Sequence, residues 1–159
     1  MKLYHGSNIA VKNPSILASD RKLDFGSGFY LTSNFEQAER WAELTAERRG
    51  YGKPTVSIYE FDETKLVDFK VLYFEKANKK WLDFVVANRE NTANDQKWDI
   101  ITGPVANDRT MPVIRLFLAK VYTAAETLRR LLPQKLHNQY TFKTEAALQL
   151  LKFQGSIEK

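Results

Sequence analysis

An α+β fold is the class this sequence predicts. Strand-like and helix-like segments are interspersed, without the regular alternation that a parallel βαβ sheet requires. The 159 residues fall within the span of one domain, about 100–200 residues. No internal repeat, low-complexity tract or Pro/Gly/Ser-rich linker divides them, so residues 1–159 read as a single domain.

The elements follow in order. Lys2 to His5 reads as a short strand ending at Gly6, and Asn8 to Phe25 as loop, broken by Pro14. Gly26 to Thr32 is a glycine-rich turn running into a strand. Ser33 to Arg49 has helical periodicity: Phe35, Ala38, Trp41, Ala42 and Thr45 share a face. Ser33 and Glu36 stand at capping-box spacing, and Gly50 is placed to stop the helix. Thr55 to Phe61 alternates as a strand does, and Val67 to Phe74 offers another. Asn78 is a cap for a helix over Lys79 to Arg89. Trp98 to Val105 reads as a buried strand and Met111 to Lys120 as a helix. Thr123 caps the next helix, with Glu126 at box spacing, and Pro133 ends it. Gln139 to Lys143 is a short strand, and Thr144 caps a last helix over Glu145 to Phe153.

Composition narrows the function classes. There is no cysteine, which removes disulfides and cysteine-based zinc sites. The two histidines, His5 and His137, are far apart in sequence, and no metal is expected. A net charge of +5 suits an anionic ligand such as a dinucleotide, loose attraction to nucleic acid, or simply a soluble surface. No window approaches the roughly 18 apolar residues of a membrane span, and the N-terminus lacks a signal-peptide core. The expected location is the cytoplasm, with no membrane partner.

Three places carry chemistry. Leu3-Tyr4-His5-Gly6-Ser7 presents an imidazole beside an open backbone at a strand end. Glycine permits close approach of a ligand to the main chain; alone, such a histidine also serves simply to cap or pack. Phe25-Gly26-Ser27-Gly28-Phe29-Tyr30-Leu31-Thr32 follows, with Trp41 on the next helix. Tyr30 and Trp41 form either two walls of a slot for a flat cationic ring or two core aromatics. Third, Asn138-Gln139-Tyr140-Thr141-Phe142 opens an apolar strand with polar residues.

Taken together these motifs resemble the ADP-ribosyltransferase superfamily, in its poly(ADP-ribose) polymerase and diphtheria-toxin branch. That branch carries a His–Tyr–Glu signature in the same chain order. The layout is also similar to an uncharacterised, toxin-like bacterial family of the superfamily. The likeness runs through Asp24-Phe25-Gly26, Trp81-Leu82-Asp83-Phe84-Val85, Gly103-Pro104-Val105-Ala106-Asn107-Asp108 and Phe142-Lys143-Thr144-Glu145. The resemblance implies a split two-sheet core with flanking helices and NAD⁺, as cosubstrate, in a cleft between the sheets. It implies that His5 hydrogen-bonds a ribose hydroxyl, that the Gly6 backbone clamps the carboxamide, and that Tyr30 and Trp41 stack on nicotinamide. Ser7, Gly28 and Asn107 join the expected NAD⁺ contacts, and Arg21 (with Lys22) meets the pyrophosphate or forms a solvated pair.

One position departs from the branch. Gln139 falls where the signature glutamate belongs, and an amide carries no charge to favour the oxocarbenium-like state formed as nicotinamide leaves. Asp108, Glu145 and Glu39 are the alternative sources of a carboxylate, with Asp108 the strongest. The expected activity is transfer of one ADP-ribose unit to a macromolecular acceptor, protein or nucleic acid, in the setting of a toxin with a cognate antitoxin. NAD⁺ glycohydrolase activity, or NAD⁺ or ADP-ribose binding without catalysis, are the alternatives.

Overall fold

The computed structural model describes residues 1–17, 23–92, 97–106, 109–134 and 136–159. Among these, seven strands and five α-helices make an α+β domain. The strands are β1 (Lys2–Ser7), β2 (Phe29–Thr32), β3 (Thr55–Phe61), β4 (Val71–Tyr73), β5 (Ile100–Pro104), β6 (Asn138–Phe142) and β7 (Leu151–Glu158). The helices are α1 (Phe35–Arg49), α2 (Lys79–Arg89), α3 (Met111–Leu118), α4 (Ala124–Leu131) and α5 (Glu145–Leu148). The strands pair in the order β4-β5-β6-β2-β1-β3-β7, antiparallel except for the parallel β4–β5 pair.

By its pairing this is one mixed sheet, whereas two sheets were expected. The joint at its middle is thin, however. β1 and β3 stay in register from Lys2↔Glu60 to Ser7↔Thr55, and β2 pairs with β6 along its whole length. Between β1 and β2 the ladder holds only Tyr4↔Thr32. Beyond that pair, toward Gly6 and Tyr30, the two strands part.

Strand alternation sends successive side chains to opposite faces. Leu3, Leu31, Tyr59, Phe61, Ile100 and Phe142 gather on one face, closed by Ala147 and Leu148 of α5. On the other face the cover is divided. Ala38 and Ala42 of α1 pack with Val56, and Tyr4 meets Phe35 edge-on at 5.3 Å. Trp81, Leu82 and Val85 of α2, Ile114 of α3 and Leu131 of α4 bury Ile101 and Phe25. Trp81 satisfies its indole N–H on the Pro104 carbonyl at 2.9 Å, as a fully buried tryptophan must.

Local signals set the helix ends. Asn34 caps α1, its side chain accepting from the Gln37 N–H at 2.7 Å, so the cap lies one residue beyond the expected Ser33. Gly50 closes α1 in the left-handed conformation. Asn78, Thr123 and Thr144 cap α2, α4 and α5 as expected. Two expected elements differ. The run from Val67 to Phe74 is a strand only over Val71–Tyr73, after a 3-10 turn at Glu63–Asp68. The last helix stops at Leu148, and the chain continues as β7 on the free side of β3. Pairing with a distant strand has overridden a local helical pattern there.

Gly6 is a glycine for the sake of the helix above it. A Cβ there would lie 2.0 Å from the Ala38 carbonyl oxygen and 2.6 Å from the Ala42 nitrogen. The absent side chain lets the α1 backbone sit directly on β1, which the small Ala38 and Ala42 also permit. Gly6→Ala should therefore destabilise the domain by about 1–3 kcal/mol, the usual scale of overpacking. The check is the midpoint of urea unfolding, and an unchanged midpoint would contradict this seating of α1.

Candidate functional site

Where β1 and β2 part, a cleft of about 550 Å³ opens. Its walls come from distant parts of the chain. His5, Gly6 and Ser7 end β1, Gly28 immediately precedes β2, Tyr30 lies on β2, Trp41 is on α1 and Gln139 is on β6. These are the sequence-predicted residues, and the fold brings all seven to one cavity. Arg21, Asn107 and Asp108 lie outside the described residues. Because the strands separate here, the cleft reaches both sides of the sheet. His5 and Phe29 line it together with Val11, Ser15 and Leu17 of the loop after β1, while Tyr30, Arg89 and Gln139 line it from the α2 side.

His5 bridges the gap. Its Nδ1 donates to the Tyr30 carbonyl at 2.7 Å, replacing the ladder bond that the parted strands no longer make. The ring stacks on Phe29, with centroids 4.2 Å apart and 27° between planes. Burial holds the imidazole well below its ordinary range, down to about 4; the bond to the Tyr30 carbonyl pulls upward and nearby Arg49 pushes down again. At neutral pH the ring is therefore uncharged, with its proton on Nδ1. Nε2 is left as an acceptor, suited to a ligand hydroxyl.

Tyr30 is fixed at its far end. Its hydroxyl donates to the Gly26 carbonyl at 2.6 Å and accepts from the Phe25 N–H at 3.1 Å. Burial, and then the Asp24 carboxylate, push the phenol far above its ordinary range, so it stays a neutral ring. Lys143, just past the end of β6, donates to the Phe25 carbonyl at 2.7 Å and holds the same turn. Gly28 is glycine because a Cβ would meet the Phe142 carbonyl at 2.7 Å. Trp41 is half-buried and belongs to none of the three buried clusters.

The charges around the cleft were not foreseen as a set. Arg48, Arg49 and Arg89 line it, and among the described residues Asp24 is the one carboxylate that does. Arg49 donates to Asn8 Oδ1 at 2.9 Å. Asp24 is 5% exposed and accepts on both oxygens. Oδ1 takes Arg89 Nε at 2.8 Å and Nη2 as well. Oδ2 takes the Ala106 N–H at 3.1 Å and Gln139 Nε2 at 3.4 Å. The sequence signal for this cluster was faint: an acid just before the glycine-rich turn and an arginine in the last turn of a helix. Of the alternative carboxylates, Glu145 accepts from the Ile16 N–H at 2.9 Å and Glu39 pairs with Lys159 at 3.4 Å. Neither lines the cleft.

The fold and this cavity define a class of protein: an α+β domain with an arginine-lined, aromatic-walled cleft at the parting of two central strands. A family model described as "Protein of unknown function (DUF3990)" matches residues 1–153, and the chain belongs to that family. No curated protein and no solved structure matches it. Among the described residues no helix is long and apolar enough to cross a membrane.

Two outcomes follow. The His5 value lies below that of an unfolded histidine, about 6.5, so the unfolded chain binds the extra proton first. Stability contributed by neutral His5 is present above pH 6.5 and lost as pH falls toward 4, by about 3 kcal/mol in all. His5→Gln should flatten the stability curve over that window, as read by denaturant titrations from pH 4 to 8. Arg89→Met leaves the Asp24 charge buried and unpaired, which should cost about 3–5 kcal/mol in the same assay.

Proposed function

We propose that this chain is an NAD⁺-dependent mono-ADP-ribosyltransferase, with NAD⁺ bound across the parted strands. The observation that carries the reading is the convergence of His5, Gly6, Tyr30, Trp41 and Gln139 on one cavity. They are the residues that the resemblance assigns to NAD⁺, and they come from both ends of the chain. The arginines on the same cavity suit a pyrophosphate, since guanidinium groups match phosphate oxygens with paired donors.

In this reading the Nε2 of His5 accepts from a ribose hydroxyl, and Tyr30 and Trp41 present aromatic faces to nicotinamide. The bond between the ribose C1′ and the nicotinamide nitrogen breaks, and its electron pair goes to the ring nitrogen and cancels the positive charge there. An acceptor nucleophile then bonds to C1′ and releases its proton to solvent. The acceptor is a macromolecule, protein or nucleic acid, and an antitoxin that blocks the cleft fits the same setting. Transfer to water instead gives an NAD⁺ glycohydrolase. Gln139, an amide where the resemblance calls for a carboxylate, favours a second reading as an NAD⁺-binding module without turnover.

Nicotinamide release from NAD⁺ by the purified protein, with and without cell lysate, tests the proposal. Release and adenine label on a macromolecule are expected. Binding without release would leave the module, and no binding at all would overturn both readings. Trp41→Ala should weaken NAD⁺ binding by about 1–3 kcal/mol, the scale of one aromatic stacking face. Tyr30→Ala should do the same, and Tyr30→Phe, which keeps the ring, should bind nearly as the parent does. Calorimetric titration reads all three.

A further inference from the structure

The cleft contains a carboxylate after all, one hydrogen bond behind the position where it was expected. Asp24 and Gln139 are both almost fully buried, 5% and 2% exposed. They meet through Gln139 Nε2 and Asp24 Oδ2 at 3.4 Å. Three further donors hold the carboxylate still: two from Arg89 on Oδ1 and the Ala106 N–H on Oδ2. An amide whose nitrogen is committed to a carboxylate has its orientation set. Its oxygen is the group left for a ligand. Gln139 lines the cavity, and its Oε1 has no hydrogen-bond partner among the described residues.

We propose that Asp24 is the positioning residue of this site: it turns Gln139 so that the amide oxygen faces the ligand, and polarises that oxygen from behind. The pair does in two steps what one glutamate would do alone. A carboxylate on the N–H side of an amide draws charge toward the carbonyl, because hydrogen bonds in series strengthen one another in a low-dielectric site. The oxygen then accepts from a ribose hydroxyl and presents partial negative charge to the cation forming at C1′. Arg89 and the Ala106 N–H hold Asp24 in place, so the arrangement is set before the ligand arrives. The inference rests on the NAD⁺-cleaving reading above.

The pair makes an unusual forecast for the obvious repair. Gln139→Glu installs the residue that the resemblance calls for, yet it sets two carboxylates against each other around one guanidinium. Like charges at that distance cannot both ionise easily, so the new carboxyl is pushed upward. Q139E should therefore be poorly active at neutral pH and gain activity as pH rises. The exchanged pair, D24N/Q139E, has one carboxylate and one amide again, and should be active with a flat profile over the same range. D24N alone should lower kcat by roughly 10–100-fold, the scale on which partners behind a contacting residue act at other sites. Its Kd for NAD⁺ should move much less.

The experiment measures nicotinamide release and NAD⁺ affinity for the parent, D24N, Q139E and D24N/Q139E, between pH 6 and 9, with unfolding midpoints alongside. The expected result is the kcat loss in D24N, the rising profile in Q139E and its removal in the exchanged pair. D24N turning over as the parent does would overturn the inference, as would a Q139E variant active and flat with pH. Should D24N fail to fold, the Q139E profile still decides, because that variant keeps Asp24 and Arg89. A parent protein that neither binds NAD⁺ nor releases nicotinamide brings down the reading of the cleft itself, and this inference with it.

Discussion

At the centre of the sheet a single side chain does the work of a strand ladder. β1 and β2 share one register pair, and past it the His5 Nδ1 bond to the Tyr30 carbonyl is what links them. A full ladder would leave no cleft, and this bond is a polar tie between the two halves at the opening. The bond also sets which nitrogen of His5 carries the proton. Stacking on Phe29 fixes the ring plane. The link across the opening and the tautomer of the ring thus come from one contact.

The lip of the cleft is assembled by different means. Asp24 draws together the turn before β2, the last turn of α2, Ala106 two residues beyond β5 and the start of β6. Buried ion pairs contribute little net stability compared with well-packed apolar groups, because desolvation offsets attraction. What Asp24 provides is a junction, since its hydrogen bonds tie four separate segments to one carboxylate. The aromatic ring of Tyr30, tied through its hydroxyl to the Gly26 carbonyl, is held by that same turn.

Much of this was legible in the chain, and what was legible was local. Asn78, Thr123 and Gly50 mark helix ends because a cap acts within a few residues of itself. Asn34 displaced Ser33 only because two capping residues stand side by side. The strand β7 was hidden, since Leu148 and Leu151 continue a helical spacing while the partner that makes a strand of them, β3, lies far back in the sequence. Likewise His5, Tyr30 and Gln139 were visible as motifs, but Asp24 was not visible as a site residue. Its partners stand 65 and 115 positions away and leave no periodicity to read. Gly6 was legible as a special residue, but the helix seated against it was not, since Ala38 and Ala42 of α1 lie far along the chain.

A sheet whose weakest seam is its middle has an uncommon relation to whatever binds there. In most sheets the ladder supplies cohesion and a ligand adds to it at the periphery. Here a molecule lying between His5 and Gln139 would span the seam and act as a cross-strand staple. Binding to the folded state alone adds about 2.7 kcal/mol at a hundredfold excess over Kd, and at this place the gain falls on the junction that holds the two halves together. Occupancy of the cleft would therefore add to the cohesion of the fold at the seam where the ladder is thinnest.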